Sequence, residues 1–194
     1  MAGRLCALRP RNRSDARGDA VKNARYLSLS AAVLILDQVT KYAIVHGPVV
    51  ERPIVVIPHF FSLTFGENSG ALFGMFSGAK EPWRTILLLI VPLVAIVLVL
   101  IFLRSTGAKD RLALVALSLI LGGALGNQLD RLFRGGRVVD FLDVYADVQP
   151  VRGWLVGMFG SSHWYTFNVA DSAIVVGALL LALELLRQGR GRDA

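Results

Sequence analysis

The run Ile86-Leu-Leu-Leu-Ile-Val-Pro92-Leu-Val-Ala-Ile-Val-Leu-Val-Leu-Ile-Phe-Leu103 carries no charged side chain. At about 1.5 Å per residue, a helix of this length crosses most of a hydrocarbon core about 30 Å thick. Pro92 is expected to kink it. An uncharged apolar run this long reads as a membrane span. Three further segments have comparable length and character: about Leu27 to Val45, Leu112 to Leu129, and Asn168 to Leu186. The chain of 194 residues is 54% hydrophobic, with a mean hydropathy of +0.56. That is too apolar for an ordinary soluble domain. The pattern predicts an all-α membrane protein, a bundle of four transmembrane helices.

Charge then orients the bundle. The net charge is +7. Nucleic-acid binding is one reading of that excess, but the basic residues flank apolar spans, as the positive-inside rule expects. Residues 1–26 hold Arg4, Arg9, Arg11, Arg13, Arg17, Lys22 and Arg25 against Asp15 and Asp19. They read as a disordered basic tail. No signal peptide is expected there: Asp37 and Lys41 interrupt the next apolar stretch, and no Ala-x-Ala site follows. Arg104, Lys109 and Arg111 lie between the second and third spans, and Arg187, Arg190 and Arg192 follow the fourth. Four spans place all three basic groups on one side, which should be the cytoplasm. The expected organisation is a basic tail over 1–26, a four-helix membrane unit over 27–186 and a second basic tail over 187–194.

The two long loops, about 46–85 and 130–167, then face outward. Val49–Ile57 and Phe60–Phe65 read as short strands around Pro58-His59. Trp154–Phe159 and His163–Phe167 read as a second hairpin around Gly160-Ser161-Ser162. Together they predict a small extracytoplasmic β platform.

Polar residues gather at the outer ends of the spans. Asp37 and Lys41 are four apart on one face of the first helix, as a buried packing pair or as part of a site. Asn68-Ser-Gly70-Ala71 reads as a turn or as a place where another backbone approaches closely. In Gly122-Gly123-Ala-Leu-Gly126-Asn127-Gln-Leu-Asp130-Arg131 the small residues favour tight helix contact. Asn127 and Arg131 point the same way, and Asp130-Arg131 could be a simple helix-end charge pair. Asp140, Asp143 and Asp147 could each be a solvated loop acid. Asn168 and Asp171 share the first turn of the fourth helix, as cap and capping acid or as catalytic groups. Two neighbouring carboxylates cannot both ionise cheaply, so such a pair supplies an acid and a base at once. Neither role needs a metal or a covalent intermediate. Cys6 is the sole cysteine, and His46, His59 and His163 lack the spacing of zinc ligands. Neither metal nor cofactor is expected. Ser172 and His163 show no motif that would activate a serine.

Five of these segments, in order around four spans, resemble the signal peptidase II (lipoprotein signal peptidase) family. They are Asp37-Gln-Val-Thr-Lys41, Asn68-Ser-Gly70-Ala71, Gly126-Asn127-Gln-Leu-Asp130-Arg131, Val139-Asp140-Phe141 and Phe167-Asn168-Val-Ala170-Asp171-Ser172. The resemblance covers about residues 30–186. It implies an intramembrane aspartic endopeptidase of the bacterial inner membrane, cutting prolipoproteins just before a cysteine that carries diacylglycerol. By it, Asp140 and Asp171 are the catalytic acids; spacing alone does not raise Asp140 above Asp130, Asp143 or Asp147. It gives Asn68, Gly70, Asn127, Arg131 and Asn168 to substrate binding or dyad orientation, with Asp37, Lys41, Asp130 and Ala170 in support. The implied partners are lipidated prolipoproteins and membrane lipids, not nucleic acid, and the expected state is a monomer. The chain departs from the family pattern in its longer N-terminal tail, at Arg134-Gly-Gly-Arg137, and in an extended loop over Tyr145–Trp164.

Two other classes compete. A carrier could use Asp37, Lys41 and Asp171 as a polar path, but the polar residues cluster at span ends and do not line a route across. A non-enzymatic lipopeptide-binding protein is the third reading.

Overall fold

The structure is a computed structural model, described over residues 25–70, 82–83 and 86–190. Four helices are long and apolar enough to cross a membrane: Leu27–Val45, Ile86–Ser105, Arg111–Phe133 and Val169–Gln188. We name the helices α1 (Leu27–Val45), α2 (Val91–Ser105), α3 (Arg111–Phe133), α4 (Val151–Phe159) and α5 (Val169–Arg190). A π-helical turn, Ile86–Ile90, leads into α2. Pro92 has no N–H to give the preceding turn, so a widened turn here has a local cause. The four-span expectation holds, with the third span starting one residue earlier and ending four later than read from the sequence.

α3 is the central helix. Its small residues let two neighbours approach closely. A Cβ on Gly122 would stand 2.6 Å from the Ser30 carbonyl on α1, and one on Gly123 would collide with the Ala170 carbonyl on α5. Ile96 and Leu103 of α2 pack with Leu114, Leu117 and Leu121 of α3 in one buried cluster. The outward faces of α1, α2 and α5 keep large apolar side chains exposed, among them Ile35, Val94 and Leu179. Lipid suits such faces and water does not.

Above the helices lies an antiparallel sheet of β1 (Ile54–Ile57), β2 (Phe61–Asn68) and β3 (Val138–Val144), in that order. Ser62 pairs with Asp143, Gly66 with Asp140 and Asn68 with Val138. On its other edge β3 takes the returning chain: Phe141 and Leu142 donate to the Phe167 carbonyl, and Trp164 donates to Val144 at 2.8 Å. β3 is thus an inner strand, and Val138 to Phe141 are all buried. Ile44, Val49, Val139 and Phe141 form a second core that seats the sheet on the end of α1.

Two readings of the platform need correction. Val49 lies in a single 3-10 turn, Pro48–Val50, and the strand begins only at Ile54. The segment read as the first strand of a hairpin, Trp154–Phe159, is part of helix α4. Its aromatic and β-branched residues suggested a strand, but Gly160, at φ 73°, is the left-handed residue that ends a helix. Phe167 makes only an isolated bridge to Leu142 of β3, and His163 one to Tyr145 just past its end.

Candidate active site

α5 begins where the sheet meets the bundle, and its first N–H groups need partners. Asp171 N–H donates to Asn168 Oδ1 at 2.8 Å, and Asp171 Oδ2 accepts from Asn168 N–H at 3.3 Å. This reciprocal pair is the capping arrangement that the three-residue spacing suggested. Ala170 N–H donates to Asp37 Oδ1 at 2.9 Å, so α1 completes the cap of α5.

Asn168 is fully buried and reaches further. Its Nδ2 lies 2.7 Å from Asp140 Oδ1, 3.1 Å from Asn127 Oδ1 and 3.2 Å from the Val139 carbonyl. Asn127 Nδ2 donates to Asp171 Oδ1 at 2.8 Å, and Asn68 Nδ2 donates to Asp140 Oδ2 at 3.0 Å. Asp140 and Asp171 are therefore joined through the same two amides, Asn127 and Asn168. Asp140, on β3, is pushed up from 3.8 to about 7. Burial is the main cause and the charge of Asp171 the next; the amides of Asn68 and Asn168 and the more distant Lys41 oppose the rise. Asp140 therefore holds a proton at pH values where a solvated aspartate has none.

A layer of charge lies beneath. Lys41 and Asp37 are both 0% exposed, with Nζ 2.8 Å from Asp37 Oδ2. The same ammonium lies 3.0 Å from Asp130 Oδ2 and donates to Asn127 Oδ1 at 3.0 Å. All three of its hydrogens have acceptors. Asp130 also accepts from Arg134 Nε at 3.1 Å and from Val139 N–H at 3.1 Å. It thereby ties α3 to the strand that carries Asp140. Asp130 and Arg131 are not a charge pair with each other: Arg131 donates to the Gly70 carbonyl at 2.7 Å and to Gly136 at 3.3 Å. Gly70 N–H in turn donates to Asn68 Oδ1.

The expected site residues Asp37, Asn68, Gly70, Asn127, Asp130, Arg131, Asp140, Asn168, Ala170 and Asp171, with Lys41, thus fall into one hydrogen-bonded region. Ala71 lies outside the described residues. Asp143 is not a solvated acid: it is buried, accepts from Ser62 Oγ at 2.9 Å and lies 3.0 Å from His163 Nδ1. Asp147 is exposed and pairs with His59 at 2.8 Å. Three polar contributors escaped the sequence reading: Gln38, whose Nε2 donates to the Gly126 carbonyl at 3.1 Å, Arg134 on Asp130, and Gln128, which lines the cavity. Gln38 and Gln128 each sit beside a residue already singled out, but nothing in their spacing marked them. Among the described residues no cluster of His, Cys, Asp and Glu is arranged to hold a metal ion.

Asp140 and Asp171 face a cavity of about 530 Å³. Asn68, Asn127 and Arg131 supply its polar corner, while Trp164, Phe167, Ile174, Val175 and Pro92 supply apolar walls. An elongated apolar substrate with one polar reacting group fits such a lining.

A family profile described as Signal peptidase (SPase) II matches residues 29–187. A lipoprotein signal peptidase of Solibacter usitatus is 39% identical over 162 residues, covering 84% of this chain and 90% of the relative. One from Geobacter metallireducens is 41% identical over 169 residues, covering 87% and 94%. A solved structure titled as a bacterial membrane enzyme at 2.3 Å resolution superposes with a TM-score of 0.69 at 29% identity, covering 86% of this chain and 90% of that one. A second, at 1.9 Å, gives 0.67 at 27% identity, covering 84% and 93%.

Proposed function

This chain belongs to the signal peptidase II family of aspartic lipoprotein signal peptidases, and from that premise we propose that Asp140 and Asp171 are its catalytic dyad. It is a multi-pass bacterial membrane enzyme whose substrates are prolipoproteins. The observation that carries the dyad is the Asn168 and Asn127 bridge, which gathers both carboxylates at one cavity wall.

The chemistry follows from the surroundings. Asp140 is the neutral acid, as its raised proton affinity allows. Asp171 is the carboxylate, at the positive end of α5 and facing two N–H donors. Asp171 takes a proton from water, and the oxygen adds to the scissile carbonyl carbon while Asp140 protonates the carbonyl oxygen. In the collapse, Asp140 recovers its proton as the carbonyl re-forms. The proton held by Asp171 goes to the leaving nitrogen as the C–N bond breaks. Asn68 and Asn168 hold Asp140, and Asn127 holds Asp171, so little reorganisation is needed. Arg131 fixes the Gly70 end of the polar corner.

The bond cut is the one before a cysteine carrying diacylglycerol, and the apolar walls receive the acyl chains beside the lipid. The unit over 27–186 carries the reaction as a monomer. The basic tails lie in the cytoplasm, and the site lies near the outer face of the inner membrane, in keeping with the basic groups flanking the spans. Asp140→Asn and Asp171→Asn test the dyad. Each should abolish cleavage by the purified enzyme while leaving membrane insertion and thermal unfolding cooperative. Full activity in either variant would refute it.

A further inference from the structure

Gln128 lies on α3 next to Asn127, and with Ala124 and Arg131 it forms one stripe of the cavity wall. It is 3% exposed. Its Nε2 donates to the Leu89 carbonyl, in the π-helical turn before α2, at 3.2 Å. A carbonyl takes only a donor, so this contact fixes which end of the amide is nitrogen. The other end, Oε1, is buried and has no hydrogen-bond partner among the described residues. A buried acceptor left unpaired costs stability, and an apolar side chain of the same size would avoid that cost. The cost falls at the wall of the cavity that faces the dyad, where a substrate could relieve it.

We propose that Gln128 is a substrate-binding residue whose Oε1 accepts a hydrogen bond from a backbone N–H of the signal peptide close to the cut. The proposal rests on the peptidase reading. For the dyad to reach a peptide carbonyl, the peptide must be extended there and not helical. An extended segment at membrane depth has N–H groups that lipid cannot satisfy. The last torsion of a glutamine is soft, so a modest turn brings Oε1 toward the cavity at little cost. Because the bond is present before and during the reaction, it strengthens binding more than it speeds chemistry.

The test compares wild type, Gln128→Met and Gln128→Glu on a diacylglyceryl-modified peptide, with thermal unfolding measured in parallel. Gln128→Met should raise KM about 10-fold with kcat within about 2-fold, a loss of about 1.4 kcal/mol, and its unfolding temperature should not fall. Gln128→Glu keeps an acceptor and should retain KM better than Met. Peptides with single backbone amides replaced by esters give an independent readout. One ester near the cut should raise KM for wild type but not for Gln128→Met. A lower unfolding temperature in Gln128→Met with KM unchanged would overturn the proposal and leave Gln128 as a clasp on Leu89. So would a wild type indifferent to every ester. A wild type that cannot cleave the all-amide lipopeptide would instead overturn the peptidase reading, and this contact with it.

Discussion

Lys41→Met removes the cation that the buried charges share. Its Nζ lies 2.8 Å from Asp37 and 3.0 Å from Asp130, and none of the three side chains is more than 1% exposed. Asp130 keeps Arg134 and the Val139 N–H. Asp37 keeps the Ala170 N–H and the Gln38 amide at 3.2 Å, but its counter-charge is gone. Breaking a buried pair from one side costs about 3–5 kcal/mol, because a desolvated charge is left behind. For a chain of this size, roughly 2–4 °C per kcal/mol gives a fall of about 6–20 °C in unfolding temperature. Activity should fall as well. Asn127 Oδ1 loses one of its two donors and keeps only Asn168 Nδ2, so the amide that holds Asp171 is held less firmly. Misplacing a catalytic group by about 1 Å costs on the order of 100-fold in rate. Lys41→Met with Asp37→Asn should recover much of the stability, since no bare carboxylate remains on α1. It should not recover the rate. Tryptophan fluorescence in detergent reads the first quantity, and cleavage of a lipidated prolipoprotein the second. A single variant that melts within about 2 °C of wild type and keeps its kcat/KM would refute the reasoning.

The proton on Asp140 gives two signs. Its folded-state affinity is raised from 3.8 to about 7, so the folded state keeps a proton that the unfolded chain gives up. Stability from this group is fully present below pH 4 and is lost as pH rises toward 7. Roughly three decades of affinity correspond to about 4 kcal/mol, a dependence that Asp140→Asn should remove. The rate should fall in the same direction: kcat/KM measured from pH 5 to 9 should drop about tenfold per unit above pH 7, as the acid ionises. Gly126→Ala should cost about 1–3 kcal/mol in thermal unfolding and much of the activity. Its Cβ would stand 2.5 Å from Asp37 Oδ2, forcing aside the carboxylate that caps α5. Gly157→Ala, on the exposed α4 with nothing within 4 Å, is the control and should be neutral or stabilising by up to about 1 kcal/mol.

The parts of the molecule legible in the sequence are those where one physical demand dominates. Eighteen uncharged residues from Ile86 to Leu103 leave few alternatives to a span. The Asp37–Lys41 spacing announced a shared face, and the structure makes it a buried ion pair. The Asn168–Asp171 spacing announced a cap, which the hydrogen bonds at the head of α5 supply. What failed depended on tertiary context. Trp154 to Phe159 is short and rich in strand-forming residues, so local preference pointed the wrong way. Asp143 resembled any loop acid until the pairing of β2 with β3 placed Ser62 opposite it. Asp130 could not be separated from Arg131 on spacing, because its partners Lys41 and Val139 come from distant parts of the chain. The close approach of Gly126 to Asp37 is likewise a property of two helices together.

The most direct test of the central claim is cleavage of one purified prolipoprotein, prepared with and without the diacylglyceryl group, by wild type and by Asp171→Asn, with the cut located by mass spectrometry. The account predicts that wild type cuts only the lipidated form, just before the modified cysteine, and that Asp171→Asn cuts neither. Equal cleavage of the unmodified form would contradict the lipid-dependent substrate, and cleavage by Asp171→Asn would contradict the dyad.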